Sequence, residues 1–208
     1  MGSPSDDLSR LLIAAGEGDA AAADAIVAVV YDELRAMART RLRSARPGAT
    51  IQPTMLVHDV YLKLFGGSMR FESRRHFFFA AARAMKDVLC ERARKRARRE
   101  ALGDGVVDGQ RRNAERSAES ERSRSMILAV TEALPRLQAA DPRAHDVVTL
   151  RFFAGVPVEQ VAELLGVTTR TVERDWKFAR SWLFAELAAS GELDDLASLG
   201  GGDEADLP

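Results

Sequence analysis

Apolar residues recur at intervals of three and four along most of the chain, the spacing of one face of an α-helix. The clearest stripes are Val57, Val60, Tyr61, Leu64 and Phe65, then Phe78, Ala81, Met85, Val88 and Leu89, then Val158, Val161, Ala162 and Leu165. Alternation with period two, the mark of a half-buried strand, is absent, and Ala, Leu, Arg and Glu, all good helix formers, dominate. The pattern predicts an all-α fold with helices at about 6–15, 19–44, 53–66, 74–99, 125–137, 142–154, 157–165 and 168–189. Between 100 and 124 the periodicity lapses into Gly, Asp, Ser and Arg, with little to bury beyond Leu102, Val106 and Val107. That composition predicts a flexible linker with transient helix near 115–124. The expected organisation is two small helical domains, 6–99 and 125–189, joined by a linker, 100–124, and followed by an acidic tail, 190–208.

The most informative segment is 157–183. Its first stripe ends at Gly166, where a helix can stop in the left-handed conformation that glycine adopts without steric cost. Thr168 then offers a hydroxyl to cap a second helix. On that helix Val172, Trp176, Ala179, Leu183 and Leu187 make an inward seam, with Trp176 expected to be structural. The opposite side carries Arg170, Glu173, Arg174, Lys177 and Ser181. An apolar seam on one side and long polar side chains near the helix N-terminus on the other are what a helix-turn-helix needs to read a major groove. Thr168, Thr169, Arg170, Glu173, Arg174 and Lys177 are the candidate DNA contacts, the alternative being a solvated face on an ordinary helical hairpin.

Three features of the first half carry information. Pro53 is a good first-turn residue, and the helix it opens leaves His58, Asp59, Leu62 and Lys63 opposite its apolar face. Leu62 among charged neighbours reads either as part of a protein-binding surface or as an ordinary exposed leucine. Next, Phe77, Phe78 and Phe79 are consecutive, so they cannot all lie on one helical stripe. At least one belongs at an edge, where an aromatic face can stack on an unpaired base, unless all three pack between helices. Finally, Arg92-Ala-Arg-Lys-Arg-Ala-Arg-Arg99 continues the same helix, which also carries Arg83 and Lys86. Such a run is either a solvated helix end or a surface that tracks phosphates. Phe77, Phe79, Arg83, Lys86, Arg92, Arg94 and Lys95 are therefore candidates for contact with melted DNA.

Composition narrows the classes. The 208 residues carry a formal net charge of only −1, yet the basic run at 92–99 and the tail, which has acids and no Lys or Arg beyond residue 191, lie far apart. Charge distribution rather than total charge points to nucleic acid. No apolar run approaches the ~20 residues of a membrane span, and the polar, acidic N-terminus does not read as a secretory signal. The single cysteine, Cys90, excludes intrachain disulfides and cysteine-based zinc fingers and suits a small buried side chain in a reducing compartment. A cytoplasmic location is expected. His58, His76 and His145 are scattered, and no phosphate loop or nucleophile elbow is present, so no enzyme, metal or cofactor is expected.

Taken together, residues from about 8 to 188 resemble a bacterial RNA polymerase sigma factor of the extracytoplasmic-function type, within the sigma-70 family. Asp59-Val-Tyr-Leu-Lys-Leu-Phe65 is similar to the helix of region two that docks on the polymerase clamp. Phe71 to Arg99 is similar to the segment that melts and reads the −10 element. Leu134-Pro-Arg-Leu137, then Asp141 to Gly155 and the helix-turn-helix, are similar to region four, which reads the −35 element. Val30-Tyr-Asp-Glu-Leu-Arg35, Gln52-Pro-Thr54, Leu56-Val-His58, His76 to Met85 and Val172-Glu-Arg-Asp-Trp176 further resemble a subgroup that often accompanies serine/threonine kinases.

The resemblance implies promoter-specific initiation without catalysis, through binding to core RNA polymerase, at its clamp and flap regions, and to promoter DNA. Polymerase contact falls on His58, Asp59, Leu62 and Lys63. An anti-sigma factor or a kinase is an implied further partner, and Thr54 is a candidate phosphorylation site, against the simpler role of beginning its helix. Two departures stand out: the docking helix is poor in acids, and Glu173 occupies a position where many relatives carry a base. The rival reading is a two-domain helix-turn-helix regulator that is not a sigma factor, whose receiver or ligand domain would usually be α/β. An adaptor that contacts polymerase without reading DNA is a third.

Overall fold

The computed structural model describes residues 19–43, 52–66, 71–102 and 111–189, together with positions 8, 10–12, 14 and 17. The acidic tail and residues 103–110 of the expected linker lie outside the described residues. Among the described residues every regular element is helical: α1 (Ala20–Arg43), α2 (Pro53–Phe65), α3 (Arg74–Ala101), α4 (Arg111–Ala140), α5 (Pro142–Val148), a π-helical turn (Thr149–Phe153), α6 (Val158–Leu165) and α7 (Thr169–Ala189). The all-α class and most helix positions match the periodicity.

Local chemistry sets the ends. The Ser73 side chain accepts from the backbone N–H of His76 at 3.1 Å and caps α3. Asp141 accepts from the N–H groups of Arg143 and Ala144 and caps α5, with Pro142 in its first turn. Gly166 stands at φ +67°, and Val167 N–H bonds the carbonyl of Ala162, the six-to-one closure of a Schellman motif. Thr168 Oγ1 accepts from the N–H of Thr171 at 3.2 Å, as a cap for α7 should.

Two elements differ from the periodic pattern. First, α4 begins at Arg111, well before residue 125, and runs unbroken to Ala140. Residues 111–124 contain neither Gly nor Pro and are rich in Arg and Glu. Intrinsic propensity therefore favours helix where apolar patterning is silent. Arg124 pairs with Glu100 at 2.7 Å and ties this helix to the end of α3. Second, the expected helix 142–154 is not uniform. After Val148 it widens into the π turn, which closes with Val156 N–H on the Leu150 carbonyl.

Nearly all of the core is one cluster, with Ala129 and Leu187 forming a small second one. Ile26, Val30, Leu34 and Met37 of α1, Leu56, Val57, Val60 and Leu64 of α2, and Phe77, Phe78, Met85 and Leu89 of α3 belong to one buried cluster. The same cluster takes in Val130, Leu134 and Leu137 of α4, Leu150 and Phe153 of the π turn, and Val161 and Val172 of the helix-turn-helix. An aromatic chain lines the first half: Tyr61 stacks on Phe65 at 4.7 Å, and Phe65, Phe71, Phe77 and Phe78 follow in edge-to-face steps of 5.3–5.6 Å.

Candidate nucleic-acid and polymerase interfaces

In α7, Val172, Ala179, Leu183 and Leu187 are buried as the spacing requires. The fifth buried position is Asp175, 4% exposed, rather than Trp176. Trp176 is only half-buried, with the Arg151 guanidinium 4.7 Å from its ring centroid. Asp175 takes the seam because a partner is supplied: Arg143 of α5 donates from Nε to Oδ2 and from Nη2 to Oδ1. This pair holds Arg143 protonated even more firmly than usual, through the hydrogen bond first and the charge second. Neither Arg143 nor Asp175 was singled out by the hydrophobic pattern. The Asp-Pro-Arg start of α5 was the available signal, because it puts a long donor in the first turn of a capped helix.

Thr168, Thr169, Arg170, Glu173, Arg174 and Lys177 are all exposed. At 100° per residue, Arg170, Glu173, Arg174 and Lys177 fall within about 100° of arc, facing away from Val172. Arg174 Nη2 lies 3.6 Å from Asp175 Oδ1, so the buried carboxylate also borders this face. Burial pushes the half-buried Arg151 down from the usual guanidinium value, while Glu173 and Glu159 oppose that shift. The charge of Glu173 thus has a cationic neighbour behind the face.

On α3 the candidates divide. Phe77 is 0% exposed, locked between Phe71 and Phe78. A fully buried ring offers no face to a base, so the expectation of an edge aromatic at Phe77 is corrected. Phe79 is the edge ring, half-buried with the Arg75 guanidinium 5.5 Å from its centroid. Phe79, Arg83, Lys86 and Arg94 fall within about 80° of one another around the helix, whereas Lys95 stands about 100° from Arg94. Arg83, Arg94 and Lys95 are exposed, and Lys86 is partly covered. Arg92 lies on the opposite side, where its Nε donates to Asp59 Oδ2 of α2 at 3.1 Å.

The α2 face expected to meet polymerase is solvent-facing at His58, Leu62 and Lys63, with Leu62 53% exposed. Met55, 49% exposed, sits one helical heptad before Leu62 and extends the same strip; the pattern did not single it out. Asp59 is committed to Arg92, and Lys63 to Glu91 at 2.6 Å, a hydrogen bond that raises the lysine's affinity for its proton. Thr54 is exposed in the first turn, which holds no acid. Among the described residues no group of His, Cys, Asp and Glu could hold a metal ion, and no helix is long and apolar enough to cross a membrane.

A capped helix-turn-helix in a chain whose described elements are all helical, beside a second helix crowded with arginine, is the make-up of a DNA-binding transcription protein. The family model described as ECF sigma factor matches residues 5–189, and the chain belongs to that family. It is a sigma factor of the sigma-70 class, a DNA-binding protein of transcription initiation that works with core RNA polymerase; its family is non-enzymatic. ECF sigma factors often pair with anti-sigma factors as well. No curated protein and no solved structure matches the chain.

Proposed function

We propose that the two halves read the two promoter elements. The half ending in α7 reads the −35 element through Thr168, Thr169, Arg170, Glu173, Arg174 and Lys177. The half containing α3 captures and opens the −10 element with Phe79 as the stacking ring and Arg83, Lys86, Arg94 and Lys95 along the phosphates. Polymerase docks through His58, Leu62 and Lys63 on its clamp side and through the helix-turn-helix half on its flap side. The observation that carries this reading is the division of α7: Arg170, Glu173, Arg174 and Lys177 exposed on one side, with Thr168 and Thr169 exposed at its N-terminus, and a closed seam on the other.

The chemistry follows from that division. Arginine and lysine supply donors to guanine and to phosphate, and Glu173 can accept from the N4 amino group of cytosine. Binding by either half alone is weak, because polymerase sets the spacing that makes the two contacts effectively bivalent.

Run-off transcription with purified core polymerase tests the whole assignment. Initiation from a −35-dependent promoter should fall sharply in the Arg170→Ala/Arg174→Ala/Lys177→Ala variant. Arg174→Ala alone should cost about 1–3 kcal/mol if it makes a bidentate base contact. Unchanged initiation from the triple variant rejects the −35 assignment.

A further inference from the structure

The ion pair between Arg143 of α5 and Asp175 of α7 is not explained by stability alone. Burying the carboxylate strips its hydration, and a well-packed apolar residue in its place would close the seam at least as well. What an apolar contact cannot do is fix the direction of a charged fork. Arg143 is held at both ends. Its backbone N–H donates to Asp141 Oδ1 at 3.0 Å in the capped first turn of α5, and its Nε and Nη2 donate to the two Asp175 oxygens. A guanidinium has five N–H groups, so this grip uses one edge and leaves the edge formed by Nη1 and the second Nη2 hydrogen. The side chain is still 45% exposed, and that outer edge has no further partner among the described residues.

Asp175 also decides where the outer edge lies. On α7 it stands about 100° from Arg174 and about 60° from Val172, at the margin between the exposed face and the seam. Arg174 Nη2 is 3.6 Å from Asp175 Oδ1, the oxygen that also accepts from Arg143 Nη2 at 3.2 Å. One carboxylate oxygen thus sits between two guanidiniums, one from each helix, and offsets their repulsion. Two cations and one anion leave this margin with a net charge of +1. A recognition helix that fills a major groove ~12 Å wide has a phosphate strand along each side. A cation brought to its margin by a neighbouring helix therefore faces phosphate rather than base edges.

We propose that Arg143 binds a backbone phosphate beside the −35 element, and that Asp175 is the positioning residue that aims it. This rests on the −35 reading above and adds to it a contact from outside α7. The outer edge of the fork grips the phosphate through two parallel N–H groups, a geometry that a guanidinium and a phosphate share. Affinity gains from the prior alignment, because the side-chain freedom that a phosphate contact normally removes is already gone in the folded protein. Such a contact sets the register of α7 on the duplex and carries no base preference of its own.

Promoter binding by holoenzyme, measured over a range of salt, tests both residues. Arg143→Gln should weaken binding about tenfold, by the same factor on a −35 consensus and on a promoter with one −35 base changed. The slope of log affinity against log salt should become shallower by about 0.9, the share of one phosphate. Arg136→Gln removes a cation paired with Glu186, ~16 Å further along α7, and gives the change due to net charge alone. Asp175→Asn separates aim from charge. Removing an anion beside DNA tightens binding by attraction alone, whereas loss of aim should weaken it, and in an Arg143→Gln background it should cost nothing more. A slope in Arg143→Gln no shallower than in Arg136→Gln overturns the phosphate contact. Asp175→Asn binding as tightly as wild type overturns the positioning role. Should Arg143→Gln unfold the helix-turn-helix, as seen in its melting curve, Arg143→Lys decides: wild-type slope with reduced affinity supports the aimed fork, and wild-type affinity overturns it. Discrimination against the changed base that persists in Arg170→Ala/Arg174→Ala/Lys177→Ala rejects the −35 reading itself, whatever the Arg143 slope, and with it the place proposed for this contact.

Discussion

The Asp59 carboxylate on α2 and the Arg92 guanidinium on α3 are bonded to each other, so a residue expected to meet polymerase and one expected to meet DNA form a single ion pair. Both side chains are about one-third exposed, which limits the pair to roughly 0.2–1 kcal/mol of stability. A double-mutant cycle on Asp59→Asn and Arg92→Gln, read by chemical unfolding, should return a coupling within that range. Its functional signature is sharper. Each single variant should weaken binding to core polymerase to a similar degree, because the pair fixes the angle between α2, proposed above to dock, and α3. An Arg92 variant impaired in strand opening with normal core affinity would make Arg92 a DNA contact after all.

Phe77 and Phe79 should separate cleanly. Phe77→Ala should destabilise the fold by about 3–5 kcal/mol, the cost of emptying a fully buried aromatic site. Phe79→Ala should leave thermal unfolding nearly unchanged and slow promoter opening. A template already mismatched across the −10 region should rescue Phe79→Ala more than wild type. Equal relief for both proteins assigns Phe79 to packing.

In α7 the buried carboxylate matters more than the indole. Arg143→Ala removes the principal partner of a carboxylate that is almost inaccessible to water, and should destabilise the helix-turn-helix by about 1–3 kcal/mol. Trp176→Ala should cost less than the ~3–5 kcal/mol of a full burial loss, because the ring is only partly covered and leans on Arg151. Differential scanning calorimetry on the full-length variants ranks the two. A Trp176 variant more damaging than Arg143→Ala contradicts the seam described above.

We propose Thr54 as a switch for polymerase docking. Its exposed hydroxyl sits in the first turn of α2, where the helix dipole favours an anion and no acid is present. A phosphate would bring about −1.5 to −2 charges to α2, the acid-poor helix proposed to dock. Core-polymerase affinity should rise for Thr54→Glu relative to Thr54→Ala. Equal affinities of both variants and wild type, with no phosphate on protein from induced cells, reject the switch.

Glu33 supplies a test of pH. Burial pushes its carboxyl above the ordinary glutamate range, with the Arg74 charge opposing the shift. A folded value above the unfolded one means that the folded state prefers the neutral acid. Its contribution is therefore fully present below the unfolded value and is lost as pH rises through the folded one. Glu33→Gln, neutral throughout, should raise Tm by about 1–2 °C at neutral pH. The gain should vanish in acid, below the ordinary glutamate range. A gain that persists unchanged in acid removes ionisation as its cause.

Sequence alone was enough for the helical class, for α2, α3, α6 and α7, and for the turn between the last two. Those features depend on local causes: a 3.6-residue period, a glycine that can turn left-handed, a threonine hydroxyl one step before a helix. The outward face of α7 was legible for the same reason, since residues on one helix have fixed angular relations whatever surrounds them. The early start of α4 was hidden because its residues 111–124 carry no apolar stripe; only propensity, a weaker signal, spoke for helix there.

Tertiary structure decided which member of a helical face is buried. Phe77 went inside and Phe79 to the edge because Phe71 arrives from outside the helix to cover one ring and not the other. Asp175 could be buried beside the seam because Arg143, 32 residues away, meets it with two hydrogen bonds, while Trp176 packs against the core only in part. The close approach of Gly155 to the Arg41 backbone is of the same kind. Glycine at 155 is visible in the chain, but the α1 backbone it makes room for is brought there only by folding, because burial and charge compensation depend on neighbours remote in sequence.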